Sequence, residues 1–210
     1  MQNPWISIPL DTYENHMMRA DIFQAQTLAA RMRARFADTD IGSVTILGIA
    51  GGNGLEHAEK THLRKITGID VNADYLEICR QRFLNLSDRL ELICADLSDP
   101  ALALSFCDLL TADLLIEYIG TDCFVSLIRR SRPRRISCTL QSDGAERSGF
   151  VSGSPYQSTF EPLSEIHRSV NPNELCEALA RLDYILTKKT MIDLPNGKAF
   201  VCLEFGLDLF

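Results

Sequence analysis

The stretch that most constrains the fold runs from Val44 to Gly54 and reads Val-Thr-Ile-Leu-Gly-Ile-Ala-Gly-Gly-Asn-Gly. Its first half is apolar and β-branched, which predicts a short buried strand ending near Ile49. The glycines at positions 51–54 predict a turn with almost no side chains, and residues 55–62 predict a helix after it. A strand, a glycine turn and a helix in this order bring backbone N–H groups against a ligand in α/β proteins. A plain strand-to-helix turn is the alternative.

Two better-known glycine loops do not match this stretch. A dinucleotide-binding loop has the pattern Gly-x-Gly-x-x-Gly, but the pattern that begins at Gly52 has His57 in its last position. A phosphate-binding P-loop ends in Gly-Lys followed by Ser or Thr, and no such triplet follows here. The rest of the chain must therefore identify the loop.

Strands and helices alternate from the N-terminus to about residue 140, which favours a parallel sheet with helical crossovers. After the first strand, strands are predicted at 65–70, 90–96, within 107–118 and at 135–140. The first helix is predicted to begin at Asp11 as N-cap, with Glu14 three residues later. Further helices are predicted at 21–37, at 73–86 with Asn72 as N-cap, and at 121–130. A short helix is predicted to begin at Ser98-Asp-Pro100.

The C-terminal part of the chain departs from this alternation. A helix is predicted from Asn171 to about Leu182, followed by strands at 184–193 and 198–205. Pro195-Asn-Gly197 separates these strands, and Asn-Gly is typical of a type I′ hairpin turn. The sheet is therefore expected to end in an antiparallel pair.

Acidic residues end two of the predicted strands. Asp70 ends the second strand and Asp96 ends the third, and the glycine loop follows the first. Ligands of open parallel sheets bind at the carboxyl ends of the strands, so these three features are expected to meet. A carboxylate at the end of the second strand can accept hydrogen bonds from both hydroxyls of a ribose. One at the end of the third strand can accept a hydrogen bond from the amino group of adenine. Each acid alone would more often be a capping or surface residue.

Together these features resemble the class I S-adenosylmethionine (SAM)-dependent methyltransferases. Their first motif is an acid-x-Gly-x-Gly-x-Gly loop, and the matching positions here are Gly48, Ala50, Gly52 and Gly54. Gly48 stands where the family usually has an acid, and Ala50 where it has its first glycine. The resemblance covers roughly residues 40–207. It implies an α/β, three-layer Rossmann-like sandwich with a seven-stranded, mostly parallel sheet in the order 3-2-1-4-5-7-6, ending in an antiparallel hairpin.

The resemblance also implies the cofactor and its contacts. SAM is expected as methyl donor, with S-adenosyl-L-homocysteine (SAH) as product. The expected cofactor-binding residues are Gly48, Ala50, Gly51, Gly52, Asn53, Gly54, Asp70, Val71, Asp96, Leu97, Thr111 and Ala112. No metal is expected. Because the donor is already activated, alignment of the reactants supplies most of the catalysis, and a base is needed only for a protonated acceptor.

The candidate catalytic residues are Tyr13 and His16 on the first helix and Glu117 after the fourth strand. For each of them, a surface or helix-stabilising role is the more common alternative. Tyr118 and His167 are further residues that could reach the same acceptor.

The whole chain, residues 1–210, is expected to form one methyltransferase domain. Residues 10–37 would form a helical cap, and the Ser-, Gly- and Pro-rich residues 141–170 a lid that encloses a small-molecule acceptor. Apolar anchors for that lid are Phe150, Tyr156, Phe160, Leu163 and Ile166.

Composition limits the partners. The net charge of −7 and pI of about 5.1 make nucleic acid or a membrane surface an improbable partner. The arginines at positions 129–135 are better explained as a charged helix end than as a phosphate patch. The seven cysteines have no metal-ligand spacing and are expected to be mostly buried thiols. A cytoplasmic protein without a membrane span is expected, and a homodimer is left open.

Three functions remain open at this stage. The first is a SAM-dependent methyltransferase with a small-molecule acceptor. The second is a catalytically inactive, methyltransferase-like SAM-binding or regulatory protein, which the departures at Gly48 and Ala50 favour. The third, a nucleotide-binding oxidoreductase, is opposed by the failed dinucleotide pattern and by the terminal hairpin.

Overall fold

The computed structural model describes residues 3–142 and 155–208, and in them seven strands form one mixed sheet. The strands are β1 (Ser43–Leu47), β2 (Lys65–Asp70), β3 (Leu90–Cys94), β4 (Leu109–Asp113), β5 (Arg135–Ser142), β6 (Tyr184–Asp193) and β7 (Ala199–Leu207). Their order, β3-β2-β1-β4-β5-β7-β6, confirms the sequence prediction. Strands β1 to β5 pair in parallel, and β7 pairs antiparallel with both β5 and β6.

Helices cover both faces of the sheet. They are α1 (Leu10–Met18), α2 (Gln24–Phe36), α3 (Ala73–Arg82), α4 (Ile116–Ile119), α5 (Thr121–Ser131), α6 (Gln157–Phe160) and α7 (Pro172–Ala180). One core cluster packs α5 and α7 against the sheet, for example through Phe124 and Leu175. A second packs α2 and α3 on the opposite face, through Phe36 and Leu76. In the part of the chain described, no helix has the length and apolar composition needed to cross a bilayer.

Several predicted helices are shorter than expected. The stretch after the glycine loop forms only a 3₁₀ turn, Leu55–Ala58, and no helix begins at Ser98. The first helix begins at Leu10 with Pro9 as its N-cap, so the predicted capping role of Asp11 is wrong; its carboxylate accepts the N–H of Thr12 instead. The predicted cap at Asn72 is confirmed, since its side chain accepts the N–H groups of the first turn of α3.

The hairpin between β6 and β7 is present, but the predicted turn type is wrong. The Gly197 N–H donates to the Leu194 carbonyl (3.1 Å), and the Leu194 N–H donates to the Lys198 carbonyl (2.8 Å). Gly197 has a φ of +79°, and no other residue of the turn has a positive φ. A type I′ turn needs positive φ at both central residues. The connection is therefore a three-residue loop closed by a left-handed glycine.

The arginines at 132, 134 and 135 each contact a different group within the protein. Arg135 pairs with Asp38 (2.6 Å), and Arg134 lies 3.5 Å from Asp108. Arg132 stacks over the Tyr184 ring and donates to the Leu182 carbonyl. These contacts agree with the structural interpretation of the cluster and not with a phosphate patch.

The cysteine prediction is correct for four of the seven thiols. Cys79, Cys107, Cys138 and Cys202 are buried, whereas Cys94 at the end of β3 is exposed although it follows two apolar residues. The reason is that β3 is an edge strand, with only β2 beside it in the sheet.

Candidate functional site

A cavity enclosing about 140 Å³ lies at the carboxyl ends of β1, β2, β3 and β4. The topology explains its position, since parallel strands bring the residues that follow them to the same edge. The predicted cofactor residues in its wall are Gly48, Ala50, Asp70, Val71, Asp96 and Leu97. The three predicted catalytic residues, Tyr13, His16 and Glu117, line the same cavity.

Other predicted cofactor residues lie elsewhere. Gly51, Gly52 and Asn53 line an adjoining hollow of about 340 Å³, which shares Gly48 and Ala50 with the cavity. Gly54 is in the wall of neither space.

The glycines of the loop make room for the protein's own side chains. A Cβ atom on Gly51 would lie 2.5 Å from the Glu14 carboxylate, and one on Gly52 would lie 2.6 Å from the Phe83 ring. A Cβ on Gly54 would lie 2.8 Å from the side chain of Met32. The sequence suggested that the missing side chains would admit a ligand. At these three positions they instead allow α1, α2 and the end of α3 to pack closely against the loop.

The backbone N–H groups at the start of the loop are already bonded. The N–H groups of Gly48 and Ile49 both donate to the Ile69 carbonyl, at 2.8 and 3.1 Å. The Ala50 N–H donates to the Asp70 carboxylate (2.8 Å). Ala50 has a φ of +47°, in the left-handed region that favours glycine. Its backbone thus takes the conformation that the family's glycine would adopt more easily.

Asp70 fastens the glycine loop to the end of β2. One carboxylate oxygen accepts the Ala50 N–H and the other accepts the Asn72 N–H (3.0 Å). Burial raises the pKa of Asp70, and these amide hydrogen bonds oppose that rise. Asp70 therefore positions the loop in addition to any contact with a ligand, a role the sequence did not indicate.

Asp96 is more accessible than Asp70. It lines the cavity and is exposed, and one of its oxygens accepts the N–H and the hydroxyl of Ser98, at 2.9 and 2.7 Å. Its second oxygen has no hydrogen bond to the described residues. Asp96 can therefore accept a hydrogen bond from a ligand in the cavity.

Thr111 and Ala112 are buried inside β4 and do not line the cavity. The cavity is lined instead by Asp113, the last residue of β4, and by Leu114 and Leu115 directly after it. Asp113 forms a buried ion pair with Arg35 (2.5 and 2.8 Å) and accepts a hydrogen bond from Thr139. Burial raises the pKa of Asp113, but Arg35 outweighs it and holds the pKa below its usual value. The charge of Asp113 is therefore largely compensated within the protein.

The two candidate catalytic residues on α1 are both uncharged at neutral pH, because burial shifts their pKa values in opposite directions. Burial raises the pKa of Tyr13, so its phenol stays protonated at neutral pH. Burial lowers the pKa of His16 to about 4, helped by the positive charges of Arg19 and Lys198. His16 is therefore neutral at pH 7 and packs against the Phe160 ring (5.0 Å between centroids).

Glu117 lies in α4 and is only 3% exposed. Its Oε1 accepts the Gln141 N–H (2.8 Å), whereas Oε2 is buried without a hydrogen-bond partner among the described residues. Burial raises the pKa of Glu117 from 4.5 to about 7, and the Asp113 charge adds to the rise. Of the three candidates, only Glu117 titrates in the range where a general base is most efficient.

Aromatic residues form the wall opposite the strand ends. Trp5 packs edge-on against Tyr13 (5.5 Å) and Tyr118 (5.1 Å), and Tyr118 contacts the His167 ring (5.5 Å). Sequence reasoning missed Trp5, as well as Tyr75, which also lines the cavity. Their signal was the aromatic residues themselves, but nothing local indicated that they would meet at this edge.

The predicted lid contributes several wall residues. Three of the expected apolar anchors, Phe160, Leu163 and Ile166, line the cavity together with His167, whereas the anchor Tyr156 does not. Residues 143–154, including the predicted anchor Phe150, lie outside the described part of the chain.

Comparisons with known proteins support the fold more than the function. No protein-family model matches the chain, and no curated protein matches its sequence. Among solved structures, magnesium protoporphyrin IX methyltransferase from Synechocystis PCC 6803 with bound SAH has a TM-score of 0.66 at 11% identity, over 94% of each chain.

Two further structures have the same fold. Geranyl diphosphate C-methyltransferase from Streptomyces coelicolor A3(2) has a TM-score of 0.64 at 12% identity, over 87% of this chain and 80% of that one. The cyclase SpnF has a TM-score of 0.65 at 13% identity, over 88% and 82%. Because its name denotes a cyclase, the likeness identifies the fold alone. The chain therefore has the Rossmann-like fold found in class I SAM-dependent methyltransferases.

Proposed function

We propose that the protein is a SAM-dependent methyltransferase with a small-molecule acceptor. The observation that carries the proposal is the convergence of two predicted sets of residues on one cavity. The first set, at the ends of β2 and β3, is Asp70, Val71, Asp96 and Leu97, where the adenosine half of SAM would be held. Tyr13, His16 and Glu117 line the same space, where an acceptor would meet the methyl group.

The residues fit the adenosine half of SAM better than its methionine half. Asp96 has an oxygen available for a donor, and Asp70 retains lone pairs beside its two amide bonds. Near the methionine half, the N–H groups of Gly48, Ile49 and Ala50 are engaged within the protein. When bound, SAM supplies an activated methyl group, so the protein's task is alignment and removal of the acceptor's proton.

A matched pair of variants tests the cofactor assignment. Asp96 and Asp99 both accept the N–H two residues ahead, at 2.9 and 2.8 Å, and both are exposed, but only Asp96 lines the cavity. Asp96→Ala should weaken SAM and SAH binding by about tenfold to a hundredfold, because a hydrogen bond to a charged group contributes roughly 1.5–3 kcal/mol. Asp99→Ala should bind as the wild type does. Isothermal titration calorimetry measures both affinities.

The titrations test the proposed function and the role of Asp96 separately. Absence of SAM and SAH binding by the wild type would reject the proposed function. Equal affinities of the two variants would reject only the role of Asp96. Asp70→Ala is a poorer test, since it would also release the glycine loop from β2.

The second candidate is a SAM-binding protein without methyl transfer. Two observations favour it: the N–H groups of Gly48, Ile49 and Ala50 are bonded within the protein, and Gly48 stands where the family has an acid. A Cβ on Gly48 would lie 3.2 Å from Leu115 at a φ of +68°, so an acid at this position would be strained. SAH formed from SAM only when a metabolite extract is present would exclude this candidate.

A further inference from the structure

Glu117 has a buried side-chain oxygen that lacks a hydrogen bond, unlike the other polar residues described in the cavity wall. Its Oε2 is buried without a partner among the described residues, although the side chain lines the cavity. A buried carboxylate oxygen without a hydrogen bond is destabilising. A donor on a ligand in the cavity would relieve that cost, and a ligand without one would not.

The charge of the wall is negative. Asp70, Asp96 and Glu117 line the cavity without an ion-pair partner among the described residues, whereas Asp113 is paired with Arg35. No lysine or arginine in the described part of the chain lines the cavity. The basic residues that act on His16 from nearby, Arg19 and Lys198, are not in its wall. An anionic acceptor would therefore be repelled by these carboxylates, with no lysine or arginine among the described wall residues to offset the repulsion.

The remaining wall is aromatic. Trp5, Tyr13 and Tyr118 form a connected set of edge-on contacts, and Phe160 lies beyond His16. The faces of such rings attract organic cations, and carboxylates beside them add to the attraction. Aromatic rings with carboxylates are thus suited to a positively charged organic group.

We propose that the methyl acceptor is a small organic amine whose nitrogen donates a hydrogen bond to Glu117. This inference rests on the proposed function and names its substrate class. An ammonium nitrogen first gives a proton to the Glu117 carboxylate. The nitrogen lone pair then forms the bond to the methyl carbon while the carbon–sulfur bond breaks, its electron pair remaining on sulfur as SAH. The products are a methylated ammonium, neutral SAH and a protonated Glu117, so charge and atoms balance.

The same chemistry argues against a phenol. Attack by an amine moves positive charge from sulfur to nitrogen, so the cavity holds a cation throughout, which its carboxylates stabilise. Attack by a phenolate would require an anion beside those carboxylates and would remove the positive charge as the bond forms. The wall therefore favours nitrogen over oxygen as the acceptor atom.

The test uses three compounds of one shape and the single tryptophan of the chain, Trp5. Because Trp5 lines the cavity, its fluorescence reports binding without turnover. 2-Phenylethylamine, 2-phenylethanol and 3-phenylpropanoate are titrated into the full chain with SAH present. The amine should bind at least about tenfold more tightly than the carboxylate, with the alcohol between them.

Variants assign the preference to Glu117. Glu117→Gln should lower affinity for the amine about tenfold or more and leave the alcohol within about threefold. Glu165→Gln removes the same charge at an exposed position outside the cavity and should change neither affinity. Circular dichroism verifies that both variants fold.

The results decide the proposal in either direction. A carboxylate that binds as tightly as the amine, an amine affinity unchanged in Glu117→Gln, or absence of binding by all three compounds at millimolar concentration would overturn it. SAM titration without acceptor tests the proposed function separately. Binding of SAM together with failure of the amine would leave the methyltransferase proposal in place and reject its substrate class.

Discussion

Glu117→Gln is expected to stabilise the folded protein at alkaline pH. Burial raises the pKa of Glu117 from 4.5 to about 7, so the folded state holds this proton more tightly than the unfolded state does. Below about pH 4.5 both states are protonated and the carboxyl has no ionisation cost. As the pH rises towards 7 the unfolded state ionises first, and stability is lost. Above about pH 7 the folded state carries the buried charge and the loss is complete.

The magnitude follows from the two pKa values. The difference of about 2.5 pH units, at about 1.4 kcal/mol for each unit, gives about 3 kcal/mol as an upper bound. The glutamine side chain in Glu117→Gln keeps an oxygen for the Gln141 N–H and cannot ionise. The variant should therefore match the wild type near pH 4 and exceed it by up to about 3 kcal/mol near pH 8.

Urea unfolding followed by circular dichroism across this pH range measures the difference. Glu165→Gln, which removes an exposed carboxylate, should give a small difference that does not change with pH. A constant difference for Glu117→Gln, or a variant less stable than the wild type at pH 8, would refute the reasoning. The expected result would mean that Glu117 costs stability, as residues of functional sites often do.

Two further predictions concern the scaffold of the site. Asp113→Ala should destabilise the fold by about 3–5 kcal/mol, measured by urea unfolding, because it leaves the buried Arg35 guanidinium without its partner; a loss below about 1 kcal/mol would contradict this. Gly52→Ala and Gly197→Ala both place a side chain at positive φ, but only a Cβ on Gly52 meets a neighbour, Phe83 at 2.6 Å. Thermal unfolding should show a loss of about 1 kcal/mol for Gly197→Ala and a clearly larger one for Gly52→Ala, and equal losses would contradict the packing role of the loop.

The sequence predicted the sheet well because its pattern is local. Apolar runs that end in Asp70 and near Asp96, and an Asn-Gly turn near the C-terminus, are visible in short windows and predict the individual strands. The order of the strands was implied by the resemblance to the class I SAM-dependent methyltransferases. The cap at Asn72 was predicted for the same reason, since its partners lie two and three residues away.

The role of the glycine loop could not be predicted in this way. What occupies the space beside Gly51 and Gly52 is Glu14 and Phe83, which lie more than thirty residues away in the chain. Likewise, nothing near Asp70 indicated that the Ala50 N–H would use one of its oxygens. Only the three-dimensional structure shows that glycines typical of a ligand cradle also serve internal packing.

The N-terminal segment is attached to the helix that follows Asp70. Asn72 donates to the Trp5 carbonyl (3.0 Å), the Tyr75 hydroxyl donates to the Ile8 carbonyl (2.8 Å), and Arg82 pairs with Glu14. Helix α3 and its cap thus hold the N-terminal part of the cover over the cavity.

This attachment has a consequence for ligand binding. The cavity encloses about 140 Å³ and the adjoining hollow about 340 Å³, and pockets for ligands of drug size have about 300–1,000 Å³. A molecule as large as SAM is too big for the cavity alone, so it must extend into the hollow past Gly48 and Ala50 or displace the cover. Displacement of the cover would lengthen or break the links from α3 to Trp5, Ile8 and Glu14, because the opposite wall is formed by the paired strands of the sheet.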